Sequence, residues 1–232
     1  MIPLKTFKLF GVNGVELEKY LRKSEVPYTL SSSGNDYLLN LDFSTLNESV
    51  ADGKLKDFIS KYKSHVYAET NVTLKQQLIK ILTVRKAKIS VAESFTGGGL
   101  SSEITSVSGA SKVFYEGVVA YSPDSKHNRL GVPYEILDNF HPVSSQVASE
   151  MVKGLLSGGN TDFAISTTGI AGPKSDDSGF PVGLCYIGVG SPSKITVYKH
   201  KFLGTREEIT HLGIQTALFH AVMALRKGDF DV

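Results

Sequence analysis

The stretch VAESFTGGGLSSE, Val91 to Glu103, decides how this chain is read. A strand-like run, KAKISVA, leads into it. Three glycines, Gly97 to Gly99, then break the chain before a helix-like run, GGLSSEITSV. Strand, glycine turn and helix together form the repeating unit of α/β proteins. The turn itself admits three readings: a phosphate cradle, a loop that exposes Ser94 as a nucleophile, or a plain connection.

The same alternation continues outward from this turn. Upstream, Thr73 and Gln76 spell a capping box that opens a helix with Leu74, Leu78, Ile81 and Leu82 on one face. Downstream, a strand is expected at Gly117 to Tyr121 and another at 162–168. PVGLCYIGVG and KITVYKHKFL read as two strands joined by Ser-Pro-Ser, hence antiparallel. Thr205 with Glu208 caps a last helix reaching about Lys227. The expected fold class is α/β: a mixed, mostly parallel sheet covered by helices.

The chain changes character near residue 70. Residues 1–69 read as a small α+β domain in the order β-α-β-β-α, with a short further strand at SHVYA. LKTFKLF is the first strand. Val15, Leu17 and Leu21 mark an amphipathic helix, SSGND a hairpin turn, and Thr45 with Glu48 a capping box. That capping box would open a helix striped by Val50, Leu55, Phe58 and Ile59. The bland role for this domain is a scaffold or dimerisation module. A KH-like RNA module is the sharper alternative, since Gly11-Val-Asn-Gly14 has the Gly-x-x-Gly spelling. That tetrapeptide follows a strand and lacks a flanking basic pair. Residues 70–232 form the second domain.

The 232 residues are 41% hydrophobic and 21% charged, with a net charge of +2, an ordinary globular mixture. Nothing in that balance pushes the chain toward nucleic acid or a membrane. No apolar run is long enough to span a bilayer, and MIPLKTFKLF lacks the apolar core of a signal peptide. The single cysteine, Cys185, rules out an internal disulfide and fits a cytoplasmic setting. The scattered histidines offer no metal-ligand spacing, so no metal is expected.

Three loops follow strands: AESFTGGG, AYSPDSK and TTGIAGP. Ligands of open α/β sheets collect at such carboxyl ends. In the first loop, N–H groups beside Ser94 could hold a phosphate, or an oxyanion formed when Ser94 attacks a carbonyl. A serine needs a base, and a lysine of lowered pKa aided by a tyrosine is one solution. In the second loop, Ser122 can cap a short helix that begins at Pro123 and ends at Gly131. Tyr121 and Lys126 flank that corner and are the available pair. Their ordinary roles would be a packed edge-strand tyrosine and a solvated helix lysine. Glu93 could orient a substrate or stabilise the loop. Gly169 and Gly172 of the third loop allow close backbone approach, with no Walker lysine signature beside them. Arg206, in the first turn of the last helix, could bind a phosphate or lie on the surface.

These loops resemble the CinA family, the competence/damage-inducible proteins whose C-terminal domain is a nicotinamide-nucleotide amidase. The resemblance rests on four motifs in order: Ala92 to Gly98, Tyr121 to Val132, Gly169 to Pro173 and Pro181 to Gly183. TFKLFGVNGVELEKYL and VYAETNVTL are similar to the family's middle domain. The resemblance implies a middle domain plus an amidase domain, without the family's pyrophosphatase-linked N-terminal domain. The implied reaction converts nicotinamide mononucleotide to nicotinic acid mononucleotide and ammonia, with no metal or cofactor. Ser94 would be the nucleophile, and Lys126 with Tyr121 the proton-transfer pair. Glu93, Thr96, Gly97, Gly98, Gly169, Ala171, Gly172 and Arg206 would contact the mononucleotide. A homodimer is expected.

The chain departs from the family spelling at Phe95 (cysteine), Pro123 (asparagine), Phe180 (lysine), Leu184 (threonine) and Thr210 (arginine). The stretch KSDDSGF also replaces a glycine-rich one. A nucleotide-binding or interaction protein with weak catalysis is the alternative these departures motivate.

Overall fold

The structure, a computed structural model, describes residues 4–175 and 179–227. It divides into two compact units, Met1–Gln77 and Leu78–Val232. The break falls inside a helix.

The first unit runs β1 (Leu4–Phe10), α1 (Gly14–Ser24), β2 (Tyr28–Ser33), β3 (Asp36–Asp42), α2 (Glu48–Tyr62) and β4 (Val66–Ala68). Its sheet has the order β2-β3-β1-β4 with every pairing antiparallel. This is the split βαβ, or ferredoxin-like, topology. Phe7, Leu9, Leu17, Leu21, Leu39 and Phe58 fill its core. Gly11-Val-Asn-Gly14 joins β1 to α1 and does not link two helices. Asn13 is the helix cap, accepting from Val15 N at 3.1 Å and Glu16 N at 3.2 Å.

Three local expectations are corrected here. Asn47, not Thr45, caps α2, accepting from Val50 N at 2.9 Å. The helix therefore starts later; Phe58 of the expected stripe is buried together with Tyr62, whereas Val50 and Ile59 are exposed. Val15 is likewise exposed, because Leu17 and Leu21 alone set the buried stripe of α1.

The helix α3 (Leu74–Arg85) straddles the break, opened by the expected capping box, with Thr73 N donating to Gln76 Oε1 at 2.9 Å. The second unit continues with β5 (Ile89–Glu93), α4 (Gly99–Thr105), a short 3-10 turn, β6 (Phe114–Val119), α5 (Pro123–Leu130), α6 (Tyr134–Phe140) and α7 (Ser145–Ser157). It ends with β7 (Phe163–Gly169), β8 (Leu184–Ser191), β9 (Lys194–Lys201) and α8 (Arg206–Lys227). The sheet order is β6-β5-β7-β8-β9. β6, β5 and β7 are parallel, β8 runs antiparallel to β7, and β9 antiparallel to β8, the last pairing as the Ser-Pro-Ser turn predicts. β7 and β8 are buried along almost their whole length, as strands covered on both faces must be.

α7 lies on the sheet face of Ala164, Ser166 and Gly188, where the Ser166 hydroxyl donates to Ala148 O. Cys185 faces the opposite way and packs with Ile209 of α8. Sequence reading assigns no element between Gly131 and Asp162, where α6 and α7 stand. Their signal is present: Ser144 caps α7 by accepting from Val147 N, and Val147, Met151, Val152 and Leu155 share the buried face. No helix among the described residues is long and apolar enough to cross a membrane.

The chain passes from β5 to β6 on one side, then crosses to β7 on the other. β5 is therefore the switch point of the parallel strands, where a crevice opens beyond their carboxyl ends. Register keeps those ends level, since Glu93 lies beside Val119 of β6 and Thr167 of β7.

Candidate active site

A cavity of about 500 Å³ opens at that switch point. All three sequence-picked loops contribute to it: Ser94 and Phe95, then Tyr121, Pro123 and Lys126, then Gly169 to Gly172. Arg206 closes one side.

Ser94 follows directly on β5. Its N–H donates to Thr167 O at 2.9 Å, which extends the ladder one residue past the strand and holds the serine backbone. Lys126 reaches it from α5. Ser122 caps that helix by accepting from Ser125 N at 3.1 Å, and Gly131 ends it with φ 66°. Lys126 is not a solvated lysine. Only 2% of it is exposed, and Nζ lies 3.0 Å from Ser94 Oγ and 3.0 Å from Ala120 O. Burial penalises the ammonium and brings its pKa down to about 8. A neutral Lys126 keeps its bond to Ala120 O and presents a lone pair to the Ser94 hydroxyl.

Tyr121 stands elsewhere than expected. β6 ends at Val119, so Tyr121 lies beyond the strand with 59% of its surface exposed. Its hydroxyl accepts from Arg206 at 2.8 Å. Among the described residues, no hydrogen bond joins it to Ser94 or Lys126. Arg206 also donates to Gly172 O at 2.6 Å, which fixes its guanidinium across the cavity mouth.

Glu93, Thr96, Gly97 and Gly98 support the cavity from outside. The Thr96 hydroxyl pairs with that of Thr167 at 2.7 Å. Gly97 and Gly98 take φ 59° and 97°, left-handed values that suit glycine in this turn. Glu93 is wholly buried, and its carboxylate accepts from the N–H groups of Gly98, Leu100 and Ser101. The N–H groups that looked free for a phosphate are thus filled by the chain's own anion. Gly169, Ala171 and Gly172 do line the cavity. At Gly172, with φ 89°, a side chain would also meet Val182 at 2.7 Å.

Sequence reading missed His141, Pro142 and Val143 on the cavity wall; Thr168 lies in the TTGIAGP loop it singled out, and Lys174 and Ser175 begin the KSDDSGF stretch it quoted. Thr168 ties the α6–α7 connection to β7 by donating to Pro142 O at 2.7 Å. His141, Pro142 and Val143 carried no sequence signal. The described lining includes Lys126, Lys174 and Arg206, basic groups that suit an anionic ligand.

The departures from the family spelling have separate places. Phe95 packs with Ala171, Cys185 and Ile209 behind the loop, and one edge reaches the cavity. Its ring leaves no room on α8, since a Cβ at Gly213 would come within 2.5 Å of it. Alanine in a helix interior normally gains about 1 kcal/mol over glycine. Overpacking costs about 1–3 kcal/mol, so the clash decides the sign. Gly213→Ala is expected to lower the urea midpoint of the native chain and to raise it in a Phe95→Ala background.

Phe180 meets His141 edge-on at 5.1 Å, and Leu184 packs with Val143 and Ile170. Pro123 is the first residue of α5, and Thr210 is part-buried on α8. Residues 176–178 of KSDDSGF lie outside the described residues.

Residues 71–225 match the family model for the CinA C-terminal domain. The chain belongs to the CinA family. A putative competence-damage inducible protein of Caldicellulosiruptor saccharolyticus is 38% identical over 223 residues, covering 92% of this chain and 54% of that protein. A CinA-like protein of Endomicrobium trichonymphae is 37% identical over 88% of this chain and 46% of its own length. This CinA-family chain thus spans about half the length of such curated relatives. Among solved structures, the competence/damage-inducible protein CihA of Agrobacterium tumefaciens is 34% identical, with a TM-score of 0.63 over 66% of this chain and 93% of that one. A CinA superfamily protein of Klebsiella pneumoniae gives a TM-score of 0.65 at 27% identity, over 66% of this chain and 96% of that one.

Proposed function

We propose that this CinA-family chain is a metal-independent serine amidohydrolase that deamidates nicotinamide mononucleotide. The observation that carries the reading is the 3.0 Å approach of buried Lys126 Nζ to Ser94 Oγ. Neutral Lys126 takes the Ser94 proton as Oγ bonds to the carboxamide carbon, and the carbonyl oxygen becomes an oxyanion. The new ammonium then returns its proton to the leaving nitrogen, the C–N bond breaks, and ammonia departs from an ester on Ser94. Water attacks that ester with Lys126 again as base. The products are nicotinic acid mononucleotide and free Ser94.

Phe95 lines the cavity and its N–H has no acceptor among the described residues, so the oxyanion is assigned to it. The substrate phosphate is assigned to Arg206 and Lys174. Tyr121 then serves the anionic end, bracing Arg206, rather than the proton relay.

Release of ammonia from nicotinamide mononucleotide tests the proposal directly. No release at high enzyme concentration, across pH 7 to 9.5, would remove this substrate. Arg206→Ala tests the phosphate assignment. A charged hydrogen bond contributes about 1.5–3 kcal/mol, so KM for the mononucleotide should rise roughly tenfold to a hundredfold. KM for the riboside, which lacks the phosphate, should move far less. Equal shifts for both substrates would refute the assignment.

A further inference from the structure

Glu93 ends β5, one residue before the nucleophile, and none of it is exposed. Its carboxylate takes four hydrogen bonds from the far side of the turn. Gly98 N and Leu100 N donate to Oε2, both at 3.0 Å. Ser101 N donates to Oε1 at 2.8 Å and the Ser101 hydroxyl to the same oxygen at 2.6 Å. Helix starts leave N–H groups unpaired and carry partial positive charge, and a bound anion often occupies them. Here a side chain of the preceding strand does so from beneath.

The consequence falls on Ser94. The turn is closed at both ends, by the Glu93 carboxylate and by Gly97 N donating to Ser94 O at 3.1 Å. The Ser94 N–H is committed to β7 and Ala120 N donates to Glu93 O at 2.8 Å. Ala120 is also the residue whose carbonyl holds Lys126 Nζ. Glu93 therefore braces the nucleophile's turn with its side chain and the lysine's anchor with its main chain.

We infer that Glu93 is a positioning residue for Ser94: an internal anion that locks the glycine turn so that Oγ stays on Lys126. It does not touch substrate. The inference rests on Ser94 being the nucleophile, the reading proposed above. Chemistry also explains why a carboxylate is needed. Four donors converge on two oxygens, and glutamine has only one oxygen. Its NH2 group would face N–H donors on one side or the other.

The test compares wild type with Glu93→Gln by two readouts. One is the rate at which an alkyl fluorophosphonate labels Ser94, and the other is kcat and KM for ammonia release. With the fold checked by circular dichroism, Glu93→Gln is expected to cut labelling and kcat at least tenfold. KM should stay within threefold, because the anionic end at Arg206 is untouched. The pH midpoint of labelling should stay near 8, set by the burial of Lys126.

Labelling at the wild-type rate would overturn the inference. So would a slow variant whose midpoint climbs toward that of a free lysine, since Glu93 would then act only by keeping Lys126 buried. Should Glu93→Gln not fold, Glu93→Ala in formate carries the test. Formate-dependent recovery of labelling supports an anion at this point, and its absence overturns it. A wild type that is labelled but releases no ammonia removes the substrate proposal and leaves this comparison intact. A wild type labelled at no pH overturns both.

Discussion

Ser94→Ala is expected to reduce ammonia release from nicotinamide mononucleotide to background, a loss on the order of 10⁴-fold or more. The variant loses the oxygen that would form the acyl bond, and no nearby group replaces it. The Thr96 hydroxyl is committed to Thr167, and Tyr121 is held by Arg206 at the mouth. The backbone bonds of residue 94 to Thr167 and Gly97 do not involve Oγ, so the turn should persist. Mononucleotide affinity, measured by calorimetry, should remain within a few fold of wild type. Retained turnover would show that Ser94 is not the nucleophile. Equal tight binding by both proteins, with neither turning over, would favour a nucleotide-binding role for the family site in this chain.

Lys126 should have the second largest effect, and it couples activity to stability. Lys126→Met should lose activity by roughly 10³-fold or more, since the serine would have no base. Lys126→Arg should be equally inactive, because a guanidinium does not give up its proton at these pH values. In the native chain, activity should rise with pH through about 8, as the buried ammonium loses its proton.

Stability follows the same group with a definite sign. Burial lowers the Lys126 pKa from an ordinary 10.5 to about 8. Between those values the unfolded chain holds a proton that the folded chain has shed. Stability should therefore increase with pH across that window; below it the buried ammonium exerts its full destabilising effect and the contribution no longer varies with pH. A shift of this size corresponds to roughly 3 kcal/mol. Urea midpoints of wild type and Lys126→Met, compared from pH 7 to 10.5, check the point. The difference between the two should move in favour of wild type as pH rises. Parallel profiles would mean that Lys126 is not destabilised as an ammonium in the folded chain.

Where sequence reading succeeded, the physics was local. The Thr73–Gln76 and Thr205–Glu208 capping boxes form as spelled, because both partners lie within one helical turn. The corner Ser122-Pro123 to Gly131 folds as read, for the same reason. Thr45–Glu48 failed because Asn47 competed for the same helix start and won. The signal of α7 is equally local, in the Ser144 cap and the apolar stripe that follows it.

Where it fell short, distance along the chain was the cause. Lys126 is spelled like any polar residue of a short helix. Its burial arises because α5 packs on α7 and delivers Nζ beneath the end of β6. Glu93 reads as a candidate substrate contact, yet its side chain turns into the glycine turn, away from the cavity. Tyr121 reads as a partner of Lys126, but Arg206, 85 residues away, holds its hydroxyl. His141 reaches the wall through a loop with no pattern of its own.

The residues alone therefore established an α/β chain with Ser94 on the turn after a strand, because strand, turn and cap depend on neighbours a few positions apart. Only tertiary packing decided that Ser94 and Lys126, 32 residues apart, lie 3.0 Å from each other. That meeting depends on β5 being the switch point of the parallel strands and on the level register of their ends. The low pKa of Lys126 is a property of burial, which no sequence spacing encodes.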